Sequence, residues 1–206
     1  MKNTRKAAPK MAALKMAALK KTGDAAKQKN QTAAVERPGT WHLARTETER
    51  QLSDFEFRLE RLAQAYYRWK AACLAAVCDV PLTGDDVAVL NVVRMGDEPK
   101  RLSEIGQLLN RVDVPNLQYA TRKLVRAGLI ETEGSSSRKE TRYRTTATGR
   151  SVTEAYAALR AVTLPPMLDA LDGWTAKSET TGVHLDLISS LYAQVAQAAI
   201  TRRHQP

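Results

Sequence analysis

From residue 82 to residue 149 the apolar positions change rhythm three times, and each change marks an element. Leu82-Thr83 opens a helix running to Arg94, with Asp85-Asp86 at its exposed start, where acids favour the positive end of the helix dipole. In Arg101 to Asn110 (RLSEIGQLLN), Leu102, Ile105, Leu108 and Leu109 fall at helical spacing, and Ser103 can cap the first turn. A tight turn follows at Arg111-Val112. Asp113 can cap the next helix, in which Leu117, Ala120, Thr121 and Leu124 recur every three or four residues and face inward. Gly128 stops that helix. Leu129-Ile130-Glu131-Thr132-Glu133 then alternates as a strand, turns at Gly134-Ser135-Ser136-Ser137 and returns as Lys139 to Thr145. Two helices joined by a short turn fit a helix-turn-helix, with a hairpin directly after its second helix.

The flanks are helical with a different pattern. Leu52, Phe55, Leu59, Leu62, Tyr66, Trp69, Cys73 and Ala76 form a narrow heptad stripe. Past the hairpin, Ser151 to Val162 favours helix, Pro165-Pro166 breaks it, Met167 to Trp174 resumes it briefly, and a last helix near Val183 to Ile200 carries Leu187, Leu191, Val195 and Ala198 on one face. Such stripes bury themselves in a core of their own or against a partner, and periodicity alone does not separate the two. A dimer is the expectation if the recognition helix reads DNA, because one helix covers only a half-site. The fold class expected is mainly α with a small β-hairpin wing: a winged helix-turn-helix flanked by N- and C-terminal dimerisation helices. The divisions are residues 1–46, 47–80, 81–150 and 151–206.

With the inward face assigned, Asn116, Gln118, Tyr119, Arg122, Lys123 and Arg126 point outward. Amides, a phenol and cations are the groups that read base edges and neutralise phosphates in a major groove. A solvated polar face is the bland alternative. The hairpin favours nucleic acid, because its tip and return strand carry the same sign of charge at Arg138, Lys139, Arg142 and Arg144. Cations there can also simply guard an edge strand from pairing with strangers.

These residues resemble the MarR (multiple antibiotic resistance regulator) family of winged-helix transcription factors. The matching pieces are Leu82-Thr83, the LSEIGQLL helix, Leu124-Val125-Arg126-Ala127-Gly128-Leu129-Ile130, and the wing's close at Thr146-Ala147-Thr148-Gly149-Arg150. With the flanking helices the resemblance runs from about Glu47 to Arg203. It implies a homodimer interlocked through its first and last helices, double-stranded DNA as partner and repression as outcome. It also implies a small phenolic or lipophilic effector between the dimer helices and the winged helix, for which Tyr66, Tyr67 and Trp69 are the candidates, although aromatics there are more often core. Two departures stand out. Ser137 beside Arg138 takes the place of the family's usual wing acid. Val114-Pro115-Asn116 begins the recognition helix where the family tends to place small hydroxyl residues that touch phosphates.

Charge refines the picture. The chain carries 32 basic and 22 acidic residues, a net of +10, which suits a polyanionic partner. Residues 1–39 hold ten bases against Asp24 and Glu36, leaving 22 against 20 in residues 40–206. The excess therefore sits in a Lys/Ala-rich tail, which repeats Met11-Ala12-Ala13-Leu14-Lys15 as Met16 to Lys20 and is expected to be disordered when free. This tail either adds phosphate contacts or only solubilises. Cys73 and Cys78 are expected to be buried small hydrophobes, an intersubunit disulfide at Cys73 staying conceivable, and His42, His184 and His204 are scattered. No metal or cofactor site is expected. There is no phosphate loop, nucleophile elbow or paired histidine, so no enzyme is expected. Without a long apolar run, the expectation is a soluble cytoplasmic protein on the nucleoid. An architectural DNA-coating protein and a protein-interaction winged helix remain the alternatives.

Overall fold

Helix boundaries in this chain follow the side chains that take up unpaired backbone groups. The computed structural model describes residues 42–134, 141–171 and 173–203, and the chain divides into two compact units, residues 1–58 and 59–206. Most of the Lys/Ala-rich tail and the expectation attached to it lie outside the described residues. In the first unit the start of α1 (Glu47–Ala75) is closed by a reciprocal cap. Thr46 Oγ1 accepts from the Glu49 N–H at 3.2 Å, and the Glu49 carboxylate accepts from the Thr46 N–H at 2.9 Å.

The second unit holds the remainder of α1 and a winged helix core. Its elements are α2 (Gly84–Arg94), β1 (Lys100–Arg101), α3 (Leu102–Leu108), α4 (Val114–Arg126), β2 (Ile130–Glu133), β3 (Arg142–Thr145), α5 (Ala147–Thr163), α6 (Pro165–Asp169) and α7 (Trp174–Arg203). The sheet has the order β1-β3-β2 and is antiparallel throughout. Ile130 faces Thr145 and Glu133 faces Arg142 across the hairpin, while Lys100 and Arg101 add a short third strand opposite Tyr143 and Arg142. That third strand is not visible in the hydrophobic pattern, being two polar residues long.

One core joins α2, α3, α4 and the hairpin: Val87, Val89, Leu90, Val93, Ile105, Leu117, Leu124, Leu129 and Ile130 are all at most 2% exposed. Leu74 and Tyr156 bring α1 and α5 onto it. The inward set expected on α4 is confirmed in full, Leu117, Ala120, Thr121 and Leu124 all being buried. Gly84 lets α1 and α2 meet closely, since a Cβ there would stand 2.5 Å from the Tyr67 carbonyl oxygen.

Several local expectations change. Ser103 does not cap α3; the helix starts one residue after Arg101, whose N–H is taken by the Glu104 carboxylate at 2.6 Å. Asp86 is not part of an exposed start but is buried, closing a capping box with Thr83 at 2.9 and 3.2 Å. The last helix begins at Trp174, earlier than the apolar stripe suggested, and α6 opens on Pro165 at its first position, where a missing N–H costs nothing. Along α7, Leu187, Leu191 and Val195 are 58%, 51% and 66% exposed in the single chain rather than buried.

Candidate nucleic-acid interface

The turn between α3 and α4 is built by backbone groups before any side chain acts. Asn110 sits at φ +51° after α3, its N–H reaching the Gln107 carbonyl at 3.0 Å while the Arg111 N–H reaches that of Gly106 at 2.8 Å. This is the Schellman arrangement that ends a helix on a left-handed residue, a conformation asparagine tolerates. The same device ends α4. Gly128, at φ +68°, bonds to Val125 O at 2.9 Å and Leu129 N to Leu124 O at 3.1 Å, which throws the chain directly into β2.

On α4, Pro115, Tyr119, Arg122 and Arg126 recur at steps of four, three and four and form the outermost row, opposite buried Leu117, Thr121 and Leu124. Tyr119 is 61% exposed, and Arg122 and Arg126 are exposed with no ion pair among the described residues. Gln118 flanks the row, half-buried. The other two side chains expected here are held by the protein. Asn116 is exposed, but its amide donates to Asp113 Oδ2 at 3.1 Å. The Lys123 ammonium lies 2.7 Å from Asp86 Oδ2, a carboxylate whose side chain is 4% exposed. Lys123 therefore stands as the counter-ion of a buried acid rather than as a free cation on the outer row.

The hairpin is similarly self-paired in its described part. Arg144 Nε donates to Glu131 Oε1 at 2.8 Å and lies 3.9 Å from Glu133, as expected for opposite charges facing across strands. Arg142 donates to the Pro99 carbonyl at 3.2 Å and ties the hairpin to the loop before β1. Arg138 and Lys139, and with them Ser137, lie outside the described residues. The hairpin is fastened at its base by Thr146, whose hydroxyl donates to Gly128 O at 2.6 Å and accepts from the Gly149 N–H at 3.0 Å. A Cβ at Gly149 would stand 1.9 Å from the Leu129 carbonyl oxygen, so only glycine allows α5 to leave the hairpin this close to the end of α4.

Residues 82–149 match the winged helix DNA-binding domain family. Among solved structures, the second unit's architecture recurs in regulators of the family that the sequence resembles. Reduced AbfR bound to DNA, a protein of Staphylococcus epidermidis, is 20% identical, covering 74% of this chain and 99% of that one with a TM-score of 0.59. A MarR family transcriptional regulator from Streptomyces coelicolor is 20% identical over 71% of this chain and 96% of its own, TM-score 0.52. A MarR family regulator from Neisseria meningitidis is 18% identical over 74% and 98%, TM-score 0.53. The chain has the MarR-family winged-helix fold. No curated protein matches it by sequence. Two of these three structures are described as MarR family regulators.

Within this MarR fold a cavity of about 570 Å³ lies between α1, α2 and α5, lined by Tyr66, Trp69, Asn91, Arg94, Tyr156 and Arg160 among others. Tyr66 and Trp69 stack at 5.9 Å between ring centroids, and Trp69 lies 6.3 Å from Tyr156. Of the three aromatics expected at an effector site, the structure brings Tyr66 and Trp69 to this wall. Tyr67 does not line it and packs instead beside Gly84. Burial pushes the Tyr67 and Tyr156 phenols up and pulls the Lys70 ammonium down, Lys70 being 4% exposed with its charge over the Tyr66 and Tyr67 rings at 4.4 and 4.0 Å. Burial also pushes the Cys73 thiol up, away from the reactive thiolate, and both cysteines are free. Arg94, Arg160 and Tyr156 escaped the sequence reading because each falls on a helix whose pattern pointed only to packing. Among the described residues no group of histidines, cysteines and acids could hold a metal ion, and no helix is long and apolar enough to cross a membrane.

Proposed function

We propose that this chain is a homodimeric, sequence-specific DNA-binding transcriptional regulator that acts as a repressor in the cytoplasm. The observation that carries the reading is the outer row of α4. Tyr119, Arg122 and Arg126 stand exposed on the second helix of a helix-turn-helix within residues 82–149, the element that lies in the major groove in such folds. Residues 47–80 and 151–206 serve as dimerisation helices in this reading. It is supported by large apolar side chains left exposed in the single chain, Leu52 and Leu62 on α1 and Leu187, Leu191 and Val195 on α7, at 50% to 66%, an expense that a second subunit removes. Arg138, Lys139 and the tail of residues 1–46 add phosphate contacts. A small phenolic or lipophilic effector enters the cavity beside Tyr66 and Trp69, and shifts the spacing of the two recognition helices by preferring one dimer geometry.

The deciding experiment is selection of bound duplexes by the full chain from a random pool, with sedimentation of the complex. A palindrome of two half-sites bound by a dimer supports the reading. An unstructured pool, with operator-sized and random duplexes losing affinity together as salt rises, identifies an architectural protein instead. Failure to retain any duplex leaves the winged helix as a protein-interaction module.

A further inference from the structure

The DNA-facing row leaves unexplained a charged cluster at the N-terminal end of α4. Asp113 is the residue before the helix, yet its carboxylate makes no cap to the backbone of the first turn. Pro115 removes one of the N–H groups such a cap would use. Both carboxylate oxygens are instead gripped by Arg111, Nε to Oδ1 at 2.8 Å and Nη2 to Oδ2 at 2.6 Å, the two-pronged geometry that a planar guanidinium makes with a carboxylate. The remaining nitrogen, Nη1, reaches back to Asp85 Oδ1 on the first turn of α2 at 3.2 Å. Asp113 Oδ2 also accepts from the side-chain amide of Asn116 at 3.1 Å. Arg111 is only 19% exposed at its side chain, against 55% and 39% for the two acids. Its backbone is fixed by the bond to Gly106, where a Cβ would come within 3.0 Å of the Arg111 carbonyl oxygen.

We infer that Arg111 is a positioning residue for DNA recognition, fixing the entry of α4 against α2 and holding the Asp113 carboxylate turned aside and neutralised, so that Asn116 is presented in one orientation. The inference rests on the DNA-binding reading above. Its physical content is that the first turn of a recognition helix is the part that meets base edges, and an unpaired carboxylate there would face the phosphates it must approach. Arg111 also bridges two helices that a rigid reader must hold in register, through a side chain each of whose three nitrogens already donates to a carboxylate of this chain. With its charge answered by Asp85 and Asp113, it serves in this inference as a brace and not as a phosphate contact. The neighbouring acids and the Tyr67 phenol are the charged and titratable groups that act on it, and its grip keeps the Asp113 carboxyl well below the usual aspartate range.

The test compares the full-length wild type, Arg111→Met, and Arg111→Met combined with Asp113→Asn, on a selected operator and a random duplex over a range of salt. The expected result is that R111M binds the operator about tenfold or more weakly with the wild-type salt slope. D113N in that background recovers most of the loss by removing the stranded charge. A slope lowered by about one marks a direct phosphate contact and overturns the inference, as does a loss without rescue. Should R111M melt at the assay temperature, Arg111→Lys keeps the charge and loses the fork. It is expected to bind random duplex as the wild type does and operator about tenfold less; equal loss on both overturns the inference. A wild type that binds no duplex sinks the DNA-binding reading, whereas wild-type binding with an indifferent R111M sinks this inference alone.

Discussion

Replacing Lys123 by methionine separates the two roles that its position allows, base reader or counter-ion. Its ammonium lies 2.7 Å from an Asp86 carboxylate that is 4% exposed at the side chain, while Lys123 itself keeps 28%. Removing one partner of a buried pair costs about 3–5 kcal/mol, because the other charge is left without compensation. Here part is retained. Asp86 still accepts the Thr83 N–H at 2.9 Å and still sits at the positive end of α2, a favourable placement of about 0.3–1 kcal/mol, and the partial exposure of Lys123 discounts the pair further. The expected loss is about 2–3 kcal/mol, or roughly 5–10 °C in melting temperature for a unit of this size. Asp86→Asn should cost less, about 1 kcal/mol, since the amide oxygen keeps the cap and the freed lysine can extend into water. The two changes should be strongly non-additive, with a coupling of about 1–2 kcal/mol in urea unfolding of the four variants. If K123M matches the wild type within about 0.5 kcal/mol while its operator affinity and salt slope both fall, the counter-ion argument is refuted and the lysine faces DNA.

Four further outcomes follow from the geometry. Gly149→Ala should destabilise by about 2–3 kcal/mol, because a Cβ 1.9 Å from the Leu129 carbonyl must push α5 off the end of α4; a melting temperature within 2 °C of wild type, about 0.5–1 kcal/mol, would contradict the close packing. Arg122→Ala and Arg126→Ala should each leave unfolding unchanged within about 0.5 kcal/mol and weaken DNA binding. Tyr119→Ala should relax base preference more than overall affinity, as read by competition among operator variants. For the Arg111–Asp113 pair the folded carboxyl is depressed, so its stabilisation is complete above the ordinary aspartate value of about 3.9 and is lost as pH falls below it. The stability gap between wild type and R111M should be constant from pH 5 to 8 and shrink below pH 4, and a gap that instead opens on acidification would show the sign to be wrong.

What the sequence carried plainly was whatever repeats with a period. Leu117, Ala120, Thr121 and Leu124 declared the buried face of α4, and Leu129 with Ile130 declared the strand after it, because burial of a helix face or a sheet face imposes spacing. Gly128 and Thr146 were legible as punctuation, yet the reason for Gly149 was not, since a close approach of α5 to Leu129 is a tertiary event with no local signature. Ser103 was misread as a cap because hydroxyl residues favour that role, whereas Glu104 reaching back to Arg101 closes the turn two residues earlier. The same blindness applied to Asp86. An acid in a first turn looks solvated until Lys123, 37 residues away, is folded onto it.

Charge counting misled for a related reason, and the correction bears on mechanism. Residues 111–144 carry eight bases, all of them free as far as composition can tell. Folding engages four of them with protein groups: Arg111 with Asp85 and Asp113, Lys123 with Asp86, Arg142 with a carbonyl, and Arg144 with Glu131. Arg138 and Lys139 lie outside the described residues, which leaves Arg122 and Arg126 as the cations standing exposed without an ion pair among those described. Each phosphate contact contributes about 0.9 to the slope of affinity against salt on a double-logarithmic scale. A dimer using only these two arginines per subunit should therefore show a slope near −4, and one using all eight bases a slope near −14. Binding by the chain lacking residues 1–46 measures this directly. A slope near −7 would mean that Arg138 and Lys139 join the interface in each subunit, and a steeper one that cations paired in the free protein join as well; a slope near −4 would assign discrimination to the outer row of α4 and bulk affinity to the tail.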